Sequence, residues 1–185
     1  MKLESIEKIH EGRFISRYDL TYELNDHTKK RYEIISRNHL LSSPEDLIGK
    51  TANAVVIVAT NETGDAILLN KEFRLATNQW VYNFPAGLID EGEDGKQAAV
   101  RELREETGLE LYEIDDMMGL SYSAVGFSNE TNITIVGKAR GTLQKSCFAV
   151  EEIEAGWFTK EQVRNLLKTE LFAGRTQAFC YLWSK

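Results

Sequence analysis

Three glutamates, Glu102, Glu105 and Glu106, fall at spacings of three and four within the run Arg101-Glu102-Leu103-Arg104-Glu105-Glu106. On a helix such spacings place the carboxylates on one face, open to solvent. Ala99, Val100 and Leu103 fall on another face and are available for burial against a sheet. Like charges three and four apart destabilise an isolated helix, so a chain that keeps three of them together calls for a compensating cation. Mg²⁺ suits oxygen ligands, and Mn²⁺ can substitute for it. In a chain with 29 acidic and 22 basic residues, a solvated acidic face is the ordinary account of any single Glu pair. The rest of the segment separates the two accounts.

The helix that carries these acids has local signals at both ends. Asp94 is a cap with Gln97 three residues on, the spacing of a capping box. Gly108 stops the helix after Thr107. Upstream, Ala54-Val55-Val56-Ile57-Val58-Ala59 reads as a buried strand, Asn61 to Asp65 as a turn, and Ala66-Ile67-Leu68-Leu69 as its hairpin partner. A further short strand over Val81 to Phe84 stops at Pro85-Ala86-Gly87. Residues 1–40 alternate charged and apolar positions, as short antiparallel strands do, with a turn near Asn25-Asp26. Ser43-Pro44-Glu45-Asp46 opens a brief helix. Strands are expected near 112–121, 131–140 and 152–158, and helices near 160–168 and 174–182. The expected class is α+β, with strands on both sides of one acidic helix.

From Gly87 the spacing is glycine, five residues, Glu93, seven residues, Arg101-Glu102-Leu103, any residue, Glu105-Glu106, any residue, Gly108-Leu109. This resembles the Nudix box at every specified position, and the likeness extends over most of the chain. The resemblance implies a Nudix-type α/β/α sandwich with a mixed sheet over residues 51–185. It also implies a small antiparallel strand extension over residues 1–50 that serves a homodimer and part of a nucleoside pocket. It implies metal ligation by Glu102, Glu106 and Glu105 and by the backbone carbonyl of Ala86, with Glu93 and Arg101 holding the carboxylates in place. The implied reaction is hydrolysis of a pyrophosphate bond in a nucleoside diphosphate derivative.

The flanking segments look closest to ADP-ribose pyrophosphatases and nucleotide-sugar relatives. They are Lys71-Glu72-Phe73-Arg74, Phe84-Pro85-Ala86-Gly87, and the loop Ser121 to Glu130. That likeness implies cleavage of ADP-ribose or another ADP-sugar to AMP and a sugar phosphate. It maps a general base or extra metal contact onto Glu130, the bland alternative being a plain surface glutamate in a turn, and gives Gly126 the role of freeing the loop to close. Arg74 is the candidate for substrate phosphates or sugar, since a guanidinium suits bidentate contact. Trp80 and Phe127 are candidates for stacking on a base. Two positions depart from the branch: Ala124 stands where a proline is usual, and Asn83 where many have glutamate. Another nucleotide sugar, a dinucleoside polyphosphate, or a nucleotide-binding sensor that does not cleave therefore stand as alternatives.

Composition bounds the rest. The 185 residues suffice for a packed core without covalent staples, and the formal charge of -7 argues against coating nucleic acid. His10, His27 and His39 are scattered, so no histidine-based zinc site is visible. Cys147 and Cys180 read as two reduced, largely buried thiols. The opening residues carry no signal-like apolar core and no run reaches membrane-spanning length, so a cytoplasmic location with no membrane partner is expected.

Overall fold

The computed structural model describes residues 1–147 and 152–185. The chain forms two compact units. The first comprises Met1–Asn53 and Leu120–Asn132, the second Ala54–Gly119 and Ile133–Lys185. The stretch Leu120–Asn132 thus joins the N-terminal strands, which a simple division at residue 50 does not provide for.

In the first unit, β1 (Lys2–Glu11), β2 (Ser16–Glu23) and β3 (Lys29–Ser36) form an antiparallel sheet in that order. The turn between β2 and β3 lies where Asn25-Asp26 marked it. The Asp26 carboxylate accepts from both Thr28 N and Thr28 Oγ1, while His27 takes a left-handed φ of 66°. One face of the sheet buries Tyr18, Leu20 and Ile34 with Leu41. Pro44–Leu47 is a single 3₁₀ turn, and its Asp46 carboxylate accepts from the Ser42 and Ser43 amides.

The second unit is the sandwich. Its strands are β4 (Ala54–Thr60), β5 (Ala66–Arg74), β6 (Gln79–Asn83), β7 (Ala86–Leu88), β8 (Glu110–Tyr122), β9 (Thr131–Arg140) and β10 (Ile153–Thr159), with Leu120–Tyr122 of β8 and Thr131–Asn132 of β9 counted in the first unit. They run in the order β10-β5-β4-β9-β8, with β6 on β5 and β7 on β4. The apolar run of β4 does not alternate because both of its faces are covered. Val55, Ile57 and Ala59 meet Ala98, Ala99 and Leu103 of α1 (Gly95–Thr107). Val56 and Val58 meet Val163 of α2 (Lys160–Thr169) and Cys180 of α3 (Gly174–Trp183).

Two local expectations need correction. Pro85 ends the pairing of β6, yet extended chain resumes at once as β7. Ala86, Gly87 and Leu88 pair with Val56, Val55 and Ala54, and the Pro85 carbonyl accepts from Ile57 N at 2.8 Å. A proline removes one donor and leaves its acceptor intact, so the sheet continues through it. Val100 is not buried; it is 42% exposed, and Ala98 takes its place in the core. A helix turns 100° per residue, which sets position 100 beside exposed Lys96 and Arg104 rather than beside Leu103.

The thiols also differ from expectation, since Cys147 is exposed and Cys180 buried. Burial pushes the Cys180 thiol up to about 12, so it carries almost no thiolate at neutral pH. A disulfide-exchange reagent should therefore modify one thiol per native chain, Cys147, and two after denaturation. Rapid loss of both in the native state would overturn the burial of Cys180. Among the described residues, no helix is long and apolar enough to cross a membrane.

Candidate active site

α1 begins and ends where its caps require. Asp94 accepts from Lys96 N and Gln97 N, and Asp94 N in turn donates to Gln97 Oε1. Gly108 closes the helix at φ 76°, a conformation that favours glycine. These ends fix which residues project toward β7 and β5.

Arg101 organises the acidic face. Its Nε and Nη2 grip both oxygens of Glu93, at 3.0 and 2.8 Å. Its Nη1 reaches Glu102 Oε1 at 2.7 Å and Glu105 Oε2 at 3.1 Å, and Nη2 also donates to the Leu88 carbonyl at 2.9 Å. This fork neutralises charges that would otherwise repel one another along the helix. It holds the Glu93 carboxyl below the usual carboxylate range, with the Arg101 hydrogen bond as the main cause and the Asp90 amide adding to it. The guanidinium is in turn held more firmly protonated, chiefly by Glu93.

Glu102 lies against the backbone of β7. A Cβ built on Gly87 would fall onto the Glu102 carboxylate, so only glycine leaves that carboxylate its place. Glu106 is not on open surface as its spacing suggested. It is 6% exposed, and Asn70 of β5 donates from Nδ2 to its Oε2 at 2.9 Å. A carboxylate buried to that extent needs polar partners to remain charged. The Asn70 Oδ1 atom is itself buried with no hydrogen-bond partner.

These features fit a hard divalent cation. The donors are carboxylate oxygens, Gly87 leaves the Glu102 carboxylate its place against β7, and an orphaned buried acceptor lies beside Glu106. The side chains as they stand do not close around one point: among the described residues, no three acidic, histidine or cysteine side chains form a ready metal-binding group. Two of the acids, Glu102 and Glu105, are instead paired with Arg101 Nη1.

The remaining candidates lie elsewhere. Arg74 ends β5 and faces Glu72 at 3.4 Å, and Trp80 packs edge-on against Phe73 in the same β5–β6 hairpin. Asn83, the departure from the expected glutamate, donates to Glu72 Oε1 at 3.1 Å. A carboxylate is therefore present at this strand pair, on β5 instead of β6.

Phe127 and Glu130 belong to the first unit. Phe127 is exposed, and Arg37 donates from Nε to Glu130 Oε2 at 2.5 Å. Residues along β3 and just beyond it hold this loop at intervals. Tyr32 donates to the Gly126 carbonyl, Ile35 N to the Phe127 carbonyl at 2.8 Å, and Arg37 to Glu130. The loop is thus tied to β3 through Gly126 rather than freed by it. Gly126 has no left-handed φ, and a Cβ there meets nothing within 4 Å. Gly126→Ala should therefore leave turnover within about twofold and thermal stability nearly unchanged, as for other open surface positions. A loss beyond tenfold would restore the hinge role.

Asn70 and Arg37 had no signal in a motif. For Asn70 the available sign was a polar residue closing the apolar run Ala66 to Leu69; for Arg37 there was none.

The NUDIX domain matches residues 50–179, and the chain belongs to that family. Among its relatives, an ADP-ribose pyrophosphatase of Bacillus subtilis (strain 168) is 28% identical over 124 residues, 67% of this chain and 58% of that protein. The ADP compounds hydrolase NudE of Escherichia coli (strain K12) is 35% identical over 82 residues, 44% of this chain and 43% of that one. The chain thus spans less than two thirds of the length of these curated relatives. A crystal structure of an ADP compounds hydrolase superposes with a TM-score of 0.71 at 19% identity, over 99% of this chain and 92% of the other, which shows the shared fold.

Proposed function

We propose that this Nudix enzyme hydrolyses the pyrophosphate bond of ADP-ribose or a related ADP-sugar, giving AMP and a sugar phosphate, with Mg²⁺ as cofactor and Mn²⁺ able to replace it. The observation that carries the reading is the intact acidic face of α1: Glu102 seated over Gly87, Glu106 held from β5, and Glu105 between them, all ordered by the Arg101–Glu93 fork. The names of the relatives support the ADP-linked substrate class. Glu102, Glu105, Glu106 and the Ala86 carbonyl would hold the cation. A cation held by these oxygens would supply activation of a water and neutralisation of phosphate charge. Glu93 and Arg101 keep the carboxylates aligned.

Glu130 is proposed as the base, with Arg37 Nε donating to its Oε2 and fixing its orientation. Glu130→Gln should slow turnover at saturating substrate with little change in KM; an unchanged rate would return it to an ordinary surface ion pair. Arg74 is proposed to hold substrate phosphate or sugar, with Trp80 and Phe127 as stacking surfaces. The N-terminal strands are proposed to serve a homodimer and its nucleoside pocket.

The test is product analysis with ADP-ribose, ADP-glucose, GDP-mannose, NADH and dinucleoside polyphosphates, each with Mg²⁺ and again with chelator. Metal-dependent AMP from ADP-ribose, well above the other compounds, supports the reading. Preference for a dinucleoside polyphosphate or a non-adenine sugar would defeat the substrate assignment. Tight binding without turnover would defeat the enzyme itself.

A further inference from the structure

Asn70 is out of character for its place. The preceding residues of β5, Ala66 to Leu69, are apolar and buried, and Leu68, two residues earlier on the same side of the strand, packs with Leu103 of α1. Asn70 continues that side at 1% exposure, where a leucine would extend the core without bringing an acceptor that lacks a donor. The amide is oriented by its neighbour. A carboxylate accepts and does not donate, so Glu106 takes Nδ2, and Oδ1 is left aimed at buried space with no donor. A buried acceptor without a donor costs stability, and a fold keeps one where a partner outside the protein completes it.

We propose that Asn70 is a positioning residue for the cation site. Its Nδ2 fixes the rotamer in which Glu106 ligates, and its Oδ1 accepts a hydrogen bond from water carried by the bound cation. Mg²⁺ and Mn²⁺ sites keep several such waters, each of which needs an acceptor. Partners one step removed from the ligands change metal affinity about 10- to 100-fold when removed. This inference rests on the reading of α1 as a metal-binding face.

The experiment titrates Mn²⁺ into the chelator-stripped full chain and follows free Mn²⁺ by electron paramagnetic resonance, with thermal midpoints measured in chelator. The parent chain should bind Mn²⁺, and Asn70→Leu should bind it at least about tenfold more weakly. The metal-free midpoint of Asn70→Leu reports the net of the orphaned acceptor removed and the donor to Glu106 lost, and is read separately from affinity. Asn70→Ala carries the same affinity expectation should the leucine variant not fold. A folded variant that binds Mn²⁺ as the parent does overturns the role of Asn70 while the metal reading stands. A lowered midpoint with unchanged affinity overturns it too, since that is what a packing role alone produces. A parent chain that binds no Mn²⁺ removes the metal reading and this inference together.

Discussion

Glu106→Gln is expected to yield a folded protein whose pyrophosphatase turnover falls by about 10²–10³-fold, the range seen when one preorganised electrostatic group is taken from a reaction centre. The substitution is nearly isosteric. Asn70 Nδ2 still finds an amide oxygen where it now meets Glu106 Oε2 at 2.9 Å, so the bridge from β5 to α1 survives. What is lost is one negative charge at a position 6% exposed, where low dielectric makes the charge count for more than it would in water. Stability should move the other way. Removing a buried charge relieves its desolvation, so the thermal midpoint in chelator should hold or rise. Combining Glu106→Gln with Glu102→Gln should cost much less than the product of the two single losses, because the carboxylates act as one unit. Turnover near that of the parent in Glu106→Gln, or a collapse of the metal-free midpoint, would remove Glu106 from the ligand set.

The contrast between Glu106 and Asn70 shows what the chain discloses locally and what it does not. The α1 window was legible because its determinants lie within a few residues of one another. Asp94 and Gln97 cap it, Gly108 ends it, and the spacings of three and four gather the acids on one face. The β4–β5 hairpin was legible for the same reason, with Asn61 to Asp65 tying its own turn through Asp65. Burial was harder to read. An amphipathic pattern assigns faces, but the depth of Glu106 depends on which strand lies over it, and that strand contributes Asn70, 36 positions earlier. Val100 was misplaced because one helical step separates a core position from an exposed one. The Arg37–Glu130 pair joins residues 93 positions apart, and only the pairing of β3 with the 126–130 loop brings them together. No periodicity in either segment points to the other.

Gly87→Ala tests the geometry of the site without touching a carboxylate, and it should lower turnover by about 10²-fold, the scale expected from displacing a reacting group by roughly 1 Å. Gly87 has no left-handed φ and pairs with Val55 in regular sheet, so alanine is acceptable to the backbone. The new methyl meets only the far end of the Glu102 side chain. That end can swing aside at little cost, and a shorter range of unfolded conformations offsets part of it, so stability should change by less than about 1 kcal/mol. Catalysis does not share this tolerance, because a carboxylate that has moved aside no longer lies against β7 at Gly87. The collision has a specific signature. Glu102→Asp withdraws the carboxylate by one methylene and should itself be slow, but on that background Gly87→Ala should add less than about threefold, since the methyl has less to displace. Full activity in Gly87→Ala would mean that Glu102 works from another rotamer. Equal losses on both backgrounds would mean that the glycine serves the sheet and not the carboxylate.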